Sequence, residues 1–503
     1  MLKRAIRRAF FAYSCLETLM GVTDLNNSIT AMFKQLISVL ESAIPILIIA
    51  CGFYFLVKTK FLFIIRVGHV FKTTVLSLFS RGKNENAAVS KKDAVFTALS
   101  AAIGTGNIAG VAAAITVGGV GSIFWMWFSS FFGMMTSFAE NALGVYYKGK
   151  NEKGEICGGP MYYLKKGLEK RKEFYKFSKI LPKVYALIFL FCSFGIGNMA
   201  QINTVFDCAQ TVVGSHKGLK PILGITVAFL LGLAVIKGVS AIGKVAGVLV
   251  PVMSVMYMIL TVTVIVLNIE KIPASFGLIF KSAFGIAPLS GGAFGIGIKK
   301  AVSVGFKRGI FSNEAGMGSS VIANTAAGIE EPAVQGMWGM FEVFFDTFVI
   351  CSLTAFTILC SGVVDLSSGE LLVSDTGSNL VVKAFSGVFG SLAGNFVAIS
   401  TCLFAFSSVI GWAFYGIRVC EYLGKFTNVY KMLFIAAVIP GMYIDLTSAY
   451  LVSDILNCIM IIINASGLII MSDEVALITE SYKVRKLKSI KKQKVPANPI
   501  RQR

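Results

Sequence analysis

The sequence predicts an all-α integral membrane protein, and its composition, its long apolar segments and the placement of its basic residues all support this class. The chain has 503 residues, of which 55% are hydrophobic and only 15% are charged, and its mean hydropathy is +0.75. Soluble domains carry roughly 25% charged residues. A soluble core could not bury this much apolar surface, so most of the chain must lie in lipid.

Apolar segments long enough to cross a bilayer recur along the chain and predict about eleven transmembrane helices. They lie at 42–65, 94–117, 121–147, 184–213, 220–237, 245–267, 297–328, 337–362, 391–423, 430–446 and 449–471. Basic residues test this number, because they are retained on the cytoplasmic side. The segments 66–92 and 148–183 are rich in Lys and Arg, whereas 116–122 and 365–379 are poor in them. Eleven helices place the basic loops and the C-terminus together in the cytoplasm.

Both termini of the chain are basic, and only one of them fits this topology. Residues 483–503 carry nine Lys or Arg and no acidic residue, as expected for a cytoplasmic tail beside anionic lipid. The N-terminal cluster falls on the outer side, at Lys3, Arg4, Arg7 and Arg8. Either residues 1–40 lie along the membrane interface, or the first helix is assigned wrongly.

Charge and reactive side chains exclude several classes of protein. The net charge of +21 is accounted for by basic loops and the tail, so the sequence predicts no nucleic-acid partner. Ten scattered cysteines without a CxxC pair, and only two histidines, predict neither a metal-binding framework nor an enzyme. The sequence has neither the repeated filter loops of a channel nor the G-x-x-x-x-G-K-[ST] loop of ATP-driven transport.

The second predicted helix is interrupted at "IGTGNIAG", where Gly104, Thr105, Gly106 and Asn107 are four poor helix formers in succession. One interpretation is a tightly packed helix interface, because Gly106 and Gly110 have the GxxxG spacing. The other is an unwound helix whose free backbone groups line a cavity and bind a polar ligand. A second break at the matching place of a repeat would favour unwinding.

The seventh segment has such a break in "GFKRGIFSNEAGMGSSVIANTAA", around Asn313, Glu314, Gly316 and Gly318. If the first helix is peripheral, helices 2–6 and 7–11 form two units, and each unit begins with a broken helix. Five helices per unit give the units opposite orientations, which predicts a five-plus-five inverted repeat. The predicted domains are an N-terminal segment with a peripheral helix, two repeats and a basic cytoplasmic tail, at 1–90, 91–268, 269–472 and 473–503.

The two breaks together predict a ligand that carries both charges. A half-helix that begins after a break points N–H groups and the positive end of its dipole into the gap, which suits a carboxylate. A half-helix that ends at a break offers free carbonyl groups, which suit Na⁺ or an ammonium group. A small zwitterionic amino acid accompanied by a cation is the natural ligand.

Other polar residues at membrane depth are costly, and we expect them to face this cavity. They are Asn198, Gln201, Asn203, Asp346, Ser407, Ser408 and Trp412. Alternatives remain: Asn198 and Asn203 can bond neighbouring helices, and paired serines can bond to their own helix. The midspan aspartate needs a cation or a donor. Lys307 and Arg308, just before the second break, either face a watery vestibule or pair with Glu314.

Several stretches resemble signature sequences of the alanine or glycine:cation symporter family, also called sodium:alanine symporters. They are "GTGNIAGVA", "FAENALGVYYK", "GGPMYY", "GNMAQIN", "RGIFSNEAGMGS" and "FAFSSVIGWAFYG". The resemblance implies the five-plus-five inverted-repeat fold shared with neurotransmitter:sodium symporters. It also implies Na⁺-coupled uptake of alanine or glycine, with H⁺ used by some members.

The resemblance further implies roles by position. The first break, Gly104 to Asn107, is expected to bind the substrate carboxylate, and Gln201 is expected to provide a polar contact. Asn313 to Gly318 match the second break. After this motif the family usually continues with an Ala-Pro pair, whereas this chain has Ser320 and Val321. That departure leaves the substrate preference open.

The resemblance also implies a sodium site, at the hydroxyls of Ser407 and Ser408 and the carbonyls near Ser100 and Ile103, which are oxygen ligands for a hard cation. The predicted function is symport of Na⁺ with alanine or glycine across the cytoplasmic membrane, with Na⁺ as the coupling ion, no other cofactor and membrane lipid around the chain. The alternative is an H⁺-coupled symporter of another small neutral amino acid. Oligomeric state, stoichiometry and D/L preference are left open by the sequence.

Overall fold

The computed structural model is mostly helical and describes residues 43–79, 90–214, 218–285, 294–424, 426–443 and 446–487. The N-terminal basic cluster and most of the basic tail therefore lie outside the described residues. The two explanations for residues 1–40 lie outside them as well. Within the described part, short 3-10 and π-helical turns join many of the α-helices, and two short strands form one hairpin.

The first half of the chain leads through the first break to a long helix. Its described α-helices are α1 Ala43–Lys58, α2 Leu62–Ile65, α3 Val67–Thr73, α4 Lys91–Ala102, α5 Ala109–Gly118, α6 Ser122–Tyr146, α7 Pro160–Glu169, α8 Tyr175–Phe194, α9 Ala200–Val213, α10 Leu219–Val235 and α11 Val239–Leu267. Between α6 and α7 lies the antiparallel hairpin of β1 Gly149–Lys150 and β2 Ile156–Cys157.

The second half contains the second break and ends on a helix at the start of the basic tail. Its described α-helices are α12 Ile272–Ala283, α13 Phe294–Asn313, α14 Ser320–Ala326, α15 Pro332–Val343, α16 Ser352–Cys360, α17 Gly377–Phe389, α18 Ala393–Leu423, α19 Thr427–Ala436, α20 Val438–Gly441, α21 Leu446–Ile470 and α22 Ser472–Tyr482. Turns of 3-10 helix lie at Val75–Phe79, Thr105–Asn107, Lys172–Phe174, Ile269–Lys271 and Gly390–Leu392, and π-helical turns at Gly195–Met199, Phe344–Cys351 and Lys483–Leu487.

Five helical stretches of the described chain are long and apolar enough to cross a membrane. They are Lys172–Gln210, Val239–Val266, Pro332–Cys360, Gly377–Leu423 and Ser453–Ile470. Shorter apolar helices lie at Ala43–Lys58, Ala109–Gly118, Leu219–Val235 and Thr427–Gly441. The predicted span 94–117 is divided by the first break, so neither of its halves reaches the roughly 20 residues that a continuous crossing helix needs.

Both predicted interruptions coincide with breaks in the structure. The first leaves Thr105–Asn107 as a single 3-10 turn between α4 and α5, and the second leaves residues 314–319 outside helix between α13 and α14. Helix α6 packs against α13 and α15, and α4 packs against α11, α14 and α18. The 3-10 turn of the first break contacts the π-helical turn that joins α15 to α16. The packing thus brings the two breaks together.

The first predicted span, 42–65, is too long. Helix α1 ends at Lys58, and the chain then turns before α2. The turn presents basic side chains to α22: the Nζ of Lys58 lies 2.8 Å from the Oδ1 of Asp473, and the Nζ of Lys60 lies 2.8 Å from the Oε1 of Glu480. The two lysine side chains need water or acidic partners for their charges, and the middle of a transmembrane helix does not offer them.

The predicted tail, 473–503, begins with an ordered helix. Helix α22 packs against α6 and α15, and Glu474 accepts two hydrogen bonds from the guanidinium of Arg171, at 2.8 and 3.0 Å. Sequence analysis also missed the hairpin and helices α7, α12 and α17. These elements are too short to span a bilayer, and the search for long apolar segments does not detect such elements.

Candidate functional site

A cavity of about 440 Å³ lies between the two breaks, and we call it the central cavity. Both breaks, α9 and α18 contribute to its wall. The residues that line it are Ala101, Ala102, Gly104, Thr105, Gly106, Ile196, Gln201, Lys307, Arg308, Phe311, Ser312, Glu314, Met317, Ser408, Trp412 and Asp454. Seven predicted site residues therefore meet at one cavity: Gly104, Thr105, Gly106, Gln201, Glu314, Ser408 and Trp412.

The first break is held in shape by Asn107, which stands behind the cavity wall. The N–H of Gly104 donates to the Oδ1 of Asn107 at 2.9 Å, and the Nδ2 of Asn107 donates to the Oδ1 of Asp346 at 2.7 Å. The hydroxyl of Thr354 donates to the Asn107 carbonyl at 2.7 Å. Asn107 thus satisfies backbone groups that the broken helix leaves free, as buried polar groups require.

Asp346 joins the first break to the second. Besides Asn107, its carboxylate accepts from the hydroxyl of Ser312 at 2.9 Å and from that of Thr347 at 3.0 Å. Ser312 is in the last turn of α13 and lines the central cavity. The midspan aspartate has therefore found donors, one of the two outcomes expected for it, and it is fully buried.

Thr105 and Gln201 form a contact between the first break and α9. The hydroxyl of Thr105 donates to the Oε1 of Gln201 at 3.0 Å, and the N–H of Thr105 points at the same oxygen from 3.4 Å. The Nε2 of Gln201 donates to the carbonyl of Ile196 at 3.3 Å. Gln201 therefore bridges two elements of the cavity wall.

The glycines of the first break differ in the space around them. A Cβ on Gly104 would collide with the Oγ of Ser408, whereas a Cβ on Gly106 would meet Ser312 only at 3.9 Å. A Cβ on Gly110 would meet no atom within 4 Å outside its own helix. A GxxxG interface requires close backbone approach at both glycines. The structure does not support that interpretation for Gly106 and Gly110, and an unwound segment that lines a cavity remains.

Oxygen atoms gather where α18 passes the end of α4. The hydroxyl of Ser408 donates to the carbonyls of Ala101 at 3.2 Å and Ile103 at 3.4 Å. The hydroxyl of Ser407 is buried and has no hydrogen-bond partner among the described residues. The hydroxyl of Ser100 donates to the Thr97 carbonyl within α4, at 2.7 Å. The hydroxyl and carbonyl oxygens near Ser408 are of the kind that a hard cation takes as ligands.

The second break presents Glu314 to the cavity and turns other predicted residues away. Glu314 accepts a hydrogen bond from the Ser319 hydroxyl, and Trp412 lines the same cavity. The Nδ2 of Asn313 donates to the hydroxyls of Ser130 at 2.8 Å and Thr347 at 3.1 Å. Asn313 thus anchors the end of α13 to α6 and does not line the cavity.

Gly316 and Gly318 also lie away from the central cavity. A Cβ on Gly316 would collide with Ile48 of α1, and one on Gly318 would collide with Pro160 of α7. Both glycines have positive φ, at 89° and 78°. Sequence analysis predicts that they bind substrate, whereas in the structure they form tight turns packed against neighbouring helices.

Lys307 and Arg308, whose role sequence analysis left open, form part of the cavity wall. The Nζ of Lys307 lies 2.7 Å from the Oδ2 of Asp454, so Lys307 has an acidic partner on α21. Arg308 lines both the central cavity and another cavity of about 570 Å³, which we call the second cavity. Both basic residues therefore line a cavity, as the vestibule interpretation predicts. Asp454 had a detectable signal, because it is an acid inside the apolar span 449–471.

The two remaining asparagines bond neighbouring helices. The Nδ2 of Asn198 donates to the Phe434 carbonyl at 2.6 Å, and the Nδ2 of Asn203 donates to the Gly441 carbonyl at 3.3 Å. Neither residue lines the central cavity. The structural alternative that the sequence left open is confirmed for both.

Comparison with known proteins identifies the family. A model of the sodium:alanine symporter family matches residues 24–497. The chain is 36% identical over 442 residues to the sodium/alanine symporter AgcS of Methanococcus maripaludis, which covers 87% of this chain and 93% of that protein. Two similar proteins of Bacillus subtilis are the amino-acid carrier protein AlsT and the probable sodium/glutamine symporter GlnT. AlsT is 33% identical over 436 residues, which cover 86% of this chain and 89% of AlsT. GlnT is 33% identical over 440 residues, which cover 87% of this chain and 87% of GlnT.

These matches extend over most of the chain and are to transporters, not to enzymes. Together with the apolar helices, they identify a multi-pass membrane protein of the cation-coupled amino-acid symporter type. The chain belongs to the sodium:alanine symporter family.

Proposed function

We propose that this protein couples Na⁺ entry to the uptake of alanine or glycine across the cytoplasmic membrane by alternating access. The proposal includes eleven transmembrane helices and an inverted repeat of residues 91–268 and 269–472. The observation that carries it is the central cavity, because two broken helices line one cavity at membrane depth. Backbone can be irregular there only when it is buried in protein or lines a cavity.

The substrate carboxylate binds at the first break, between Gly104 and Gly106. The break frees N–H groups there, and the half-helix α5 begins just beyond it, so the amides and the helix dipole favour an anion. Thr105 is already held by Gln201 at 3.0 Å, which keeps the turn in place before the ligand arrives. The ammonium group faces the second break, where Glu314 supplies negative charge.

Substrate size is limited by the approach of α18 to the first break. A Cβ on Gly104 would collide with the Ser408 hydroxyl, so the two elements are in close contact here, and Trp412 also lines the cavity. Alanine, glycine and serine fit such a position, whereas leucine and phenylalanine do not. One methylene changes binding by only about 1–3 kcal/mol, so glycine and alanine are separated modestly.

Na⁺ binds at the oxygens of Ser407 and Ser408 and the carbonyls at the end of α4. The hydroxyl of Ser408 bonds the carbonyls of Ala101 and Ile103. Ser407, the preceding residue, has a buried hydroxyl without a hydrogen-bond partner among the described residues. A cation here lies next to the carboxylate bound at Gly104. Each charge therefore stabilises the other in a medium of low dielectric constant, which couples the two binding events.

The substrate enters from the outside through the second cavity. Its wall includes Thr376, Gly377, Ser378 and Asn379, which follow a loop poor in basic residues that the charge rule places outside. In this proposal the opposite path is closed by Arg418, a buried residue of α18. Its Nη1 lies 2.8 Å from Glu155 of the hairpin and 2.7 Å from Glu421.

A second candidate is coupling to H⁺, and Glu314 is the observation that favours it. This carboxyl group is buried in the cavity wall, and it accepts a hydrogen bond from the neutral hydroxyl of Ser319. A carboxyl group at membrane depth without a cation is a proton-binding group.

Uptake of radioactive alanine into proteoliposomes tests both proposals. An imposed Na⁺ gradient at equal pH should drive accumulation, and choline in place of Na⁺ should abolish it. Excess glycine or serine should compete, and leucine should not. Equal uptake in Na⁺ and choline would exclude Na⁺ coupling, and uptake driven by a pH gradient alone would establish coupling to H⁺.

A further inference from the structure

Two of the family-like stretches, "FAENALGVYYK" and "GGPMYY", have no part in the central cavity. None of their described residues is in its wall. Yet Glu140 of the first stretch and Tyr163 of the second are buried at 1% and 0% exposure. A buried carboxylate and a buried phenol are costly unless they bond specific partners. Both residues meet at the back of the second break.

The second break has an unusual backbone that needs external support. Glu314, Gly316 and Gly318 have φ values of 57°, 89° and 78°, so three of five successive residues are in the left-handed region. For glutamate this conformation is strained. Such a loop persists at membrane depth only when its surroundings determine its shape and satisfy its free backbone groups.

Asn464 of α21 supplies part of that support. Its Nδ2 donates to the Gly316 carbonyl at 2.9 Å and to the Oε1 of Glu140 at 2.5 Å, and its Oδ1 accepts from the Tyr163 hydroxyl. Tyr185 of α8 donates its hydroxyl to the Met317 carbonyl at 2.5 Å. Two carbonyls of the loop are thus bonded by side chains of two other helices.

Glu140 of α6 supports the loop as a hydrogen-bond acceptor. Its carboxylate accepts from the Nδ2 of Asn464, which also donates to the Gly316 carbonyl, and the backbone N–H groups of Gly316 and Gly318 lie close to it. A carboxylate accepts from several donors at once, and its charge strengthens each bond. Glutamine in its place would present one acceptor and one NH₂ group to partners that are all donors.

We propose that Glu140 and Asn464 are positioning residues that hold the 314–319 loop in its left-handed conformation, so that Glu314 faces the central cavity. Tyr163 orients Asn464, and Tyr185 holds the next carbonyl. We call these four residues the loop-supporting cluster. The proposal rests on the proposed function for the role of Glu314 toward the substrate ammonium group. It adds residues from α6, α7, α8 and α21, which do not touch the substrate.

The cluster predicts a selective change in Glu140→Gln. The KM for alanine should rise by roughly tenfold or more, because the loop loses charge-assisted bonds. The apparent Na⁺ affinity should stay within about twofold, because the cation oxygens are on the first break and α18. Glu342→Gln is the matched control: Glu342 is also buried, but it accepts from Asn324 of α14. It should leave the KM for alanine unchanged.

Tyr185→Phe provides a second variant if Glu140→Gln does not fold. It removes only the hydroxyl bonded to Met317 and should raise the KM for alanine several-fold without altering the thermal stability of the substrate-free protein. Wild-type KM in both variants would overturn the proposal. An equal loss of alanine and Na⁺ affinity, together with lowered stability, would also overturn it, because that pattern describes a general structural role.

Hydrogen exchange separates this proposal from the proposed function. In substrate-free protein, the amides of peptides that contain residues 314–319 should exchange at least about tenfold faster in Glu140→Gln than in wild type. Peptides of the first break, 103–108, should not change. Unchanged exchange at 314–319 would refute the loop-supporting role even if the wild type transports alanine. Faster exchange would support it even if alanine is not the substrate.

Discussion

At the scale of single residues, Gly104 is a position in the cavity wall that has no space for a side chain. Its backbone φ of −134° is open to any residue, so the requirement for glycine comes from its neighbours and not from its conformation. A Cβ there would collide with the Ser408 hydroxyl and lie 3.4 Å from the Gln201 Oε1. A methyl group would therefore displace the Ser408 hydroxyl of the proposed site.

Gly104→Ala should therefore reduce alanine uptake while the protein still folds. We expect the KM for alanine to rise by about tenfold or more, which corresponds to roughly 1.4 kcal/mol of lost binding energy. Gly110→Ala is the matched control, since a Cβ at Gly110 meets no atom within 4 Å outside its helix. Uptake kinetics and thermal stability would be measured on both purified proteins. Unchanged uptake in Gly104→Ala would contradict the placement of substrate at the first break.

Ser407 and Ser408 allow a second test at the residue scale. Changing both to alanine removes two hydroxyl oxygens from the proposed cation site, while the carbonyls of Ala101 and Ile103 remain. Hydrogen bonds and ligands to a charged group contribute about 1.5–3 kcal/mol, so the apparent Na⁺ affinity should fall roughly tenfold to a hundredfold.

Ser400→Ala serves as the control for that test. Ser400 is on the same helix, is fully buried, and its hydroxyl likewise has no partner among the described residues. Its removal should leave Na⁺ dependence unchanged. If the double variant keeps wild-type dependence of uptake on Na⁺ concentration, these serines do not bind the coupling ion.

At the scale of elements, the two breaks act as one unit because Asp346 bonds both. Asn107 holds the first break to this carboxylate at 2.7 Å, and Ser312 at the end of α13 donates to it at 2.9 Å. The π-helical turn Phe344–Cys351 carries Asp346 to this position. Such turns are frequent at functional sites, and this one inserts the carboxylate between two interrupted helices.

Asp346→Asn tests this link. The amide keeps the size of the side chain but replaces an acceptor with a donor, so one of three donors loses its partner. We expect the substrate-free protein to lose about 1–3 kcal/mol of stability and alanine binding to weaken. Thr357→Val, which removes a buried hydroxyl without a described partner on α16, should be close to neutral in a thermal shift assay. A neutral Asp346→Asn would show that the breaks are held independently.

Elements that lie across the ends of the bundle were harder to predict than its long helices. The β1–β2 hairpin is tied to α18 through Arg418 and Glu155 at 2.8 Å, and α22 is tied to the turn after α1 through Lys58 and Asp473 at 2.8 Å. Their sequences are polar and short. They become ordered through partners far away in the chain, which local periodicity does not reveal.

At the scale of the whole molecule, the arrangement of basic loops predicts the orientation in the membrane. Cysteine labelling of two exposed loop positions tests it. Glu370→Cys should react with a membrane-impermeant maleimide in intact cells, whereas Lys153→Cys should react only after permeabilisation. Described native cysteines give little background, since eight of nine are buried and Cys402 is partly buried. Labelling of the parent protein gives that background. The reverse labelling pattern would show that the topology is inverted.

The sequence by itself determined the class, the family and the positions of both breaks. Lipid requires long apolar helices, and residues such as Gly104 and Asn107 in their middle are a local signal of interruption. It also selected Gln201, Glu314 and Ser408, which the structure places in one cavity wall. Composition and local pattern carry this information, because each depends on residues that are close in sequence.

Only the tertiary structure decided which polar residues face the cavity. Asn313, Gly316 and Gly318 lie at the second break yet turn toward α6, α1 and α7. Lys307 and Asp454, in contrast, are 147 positions apart in the chain and form an ion pair in the cavity wall. A helix inside a bundle is surrounded by neighbours, so all of its sides are buried. Which side meets a neighbour and which meets the cavity depends on how helices distant in sequence pack together.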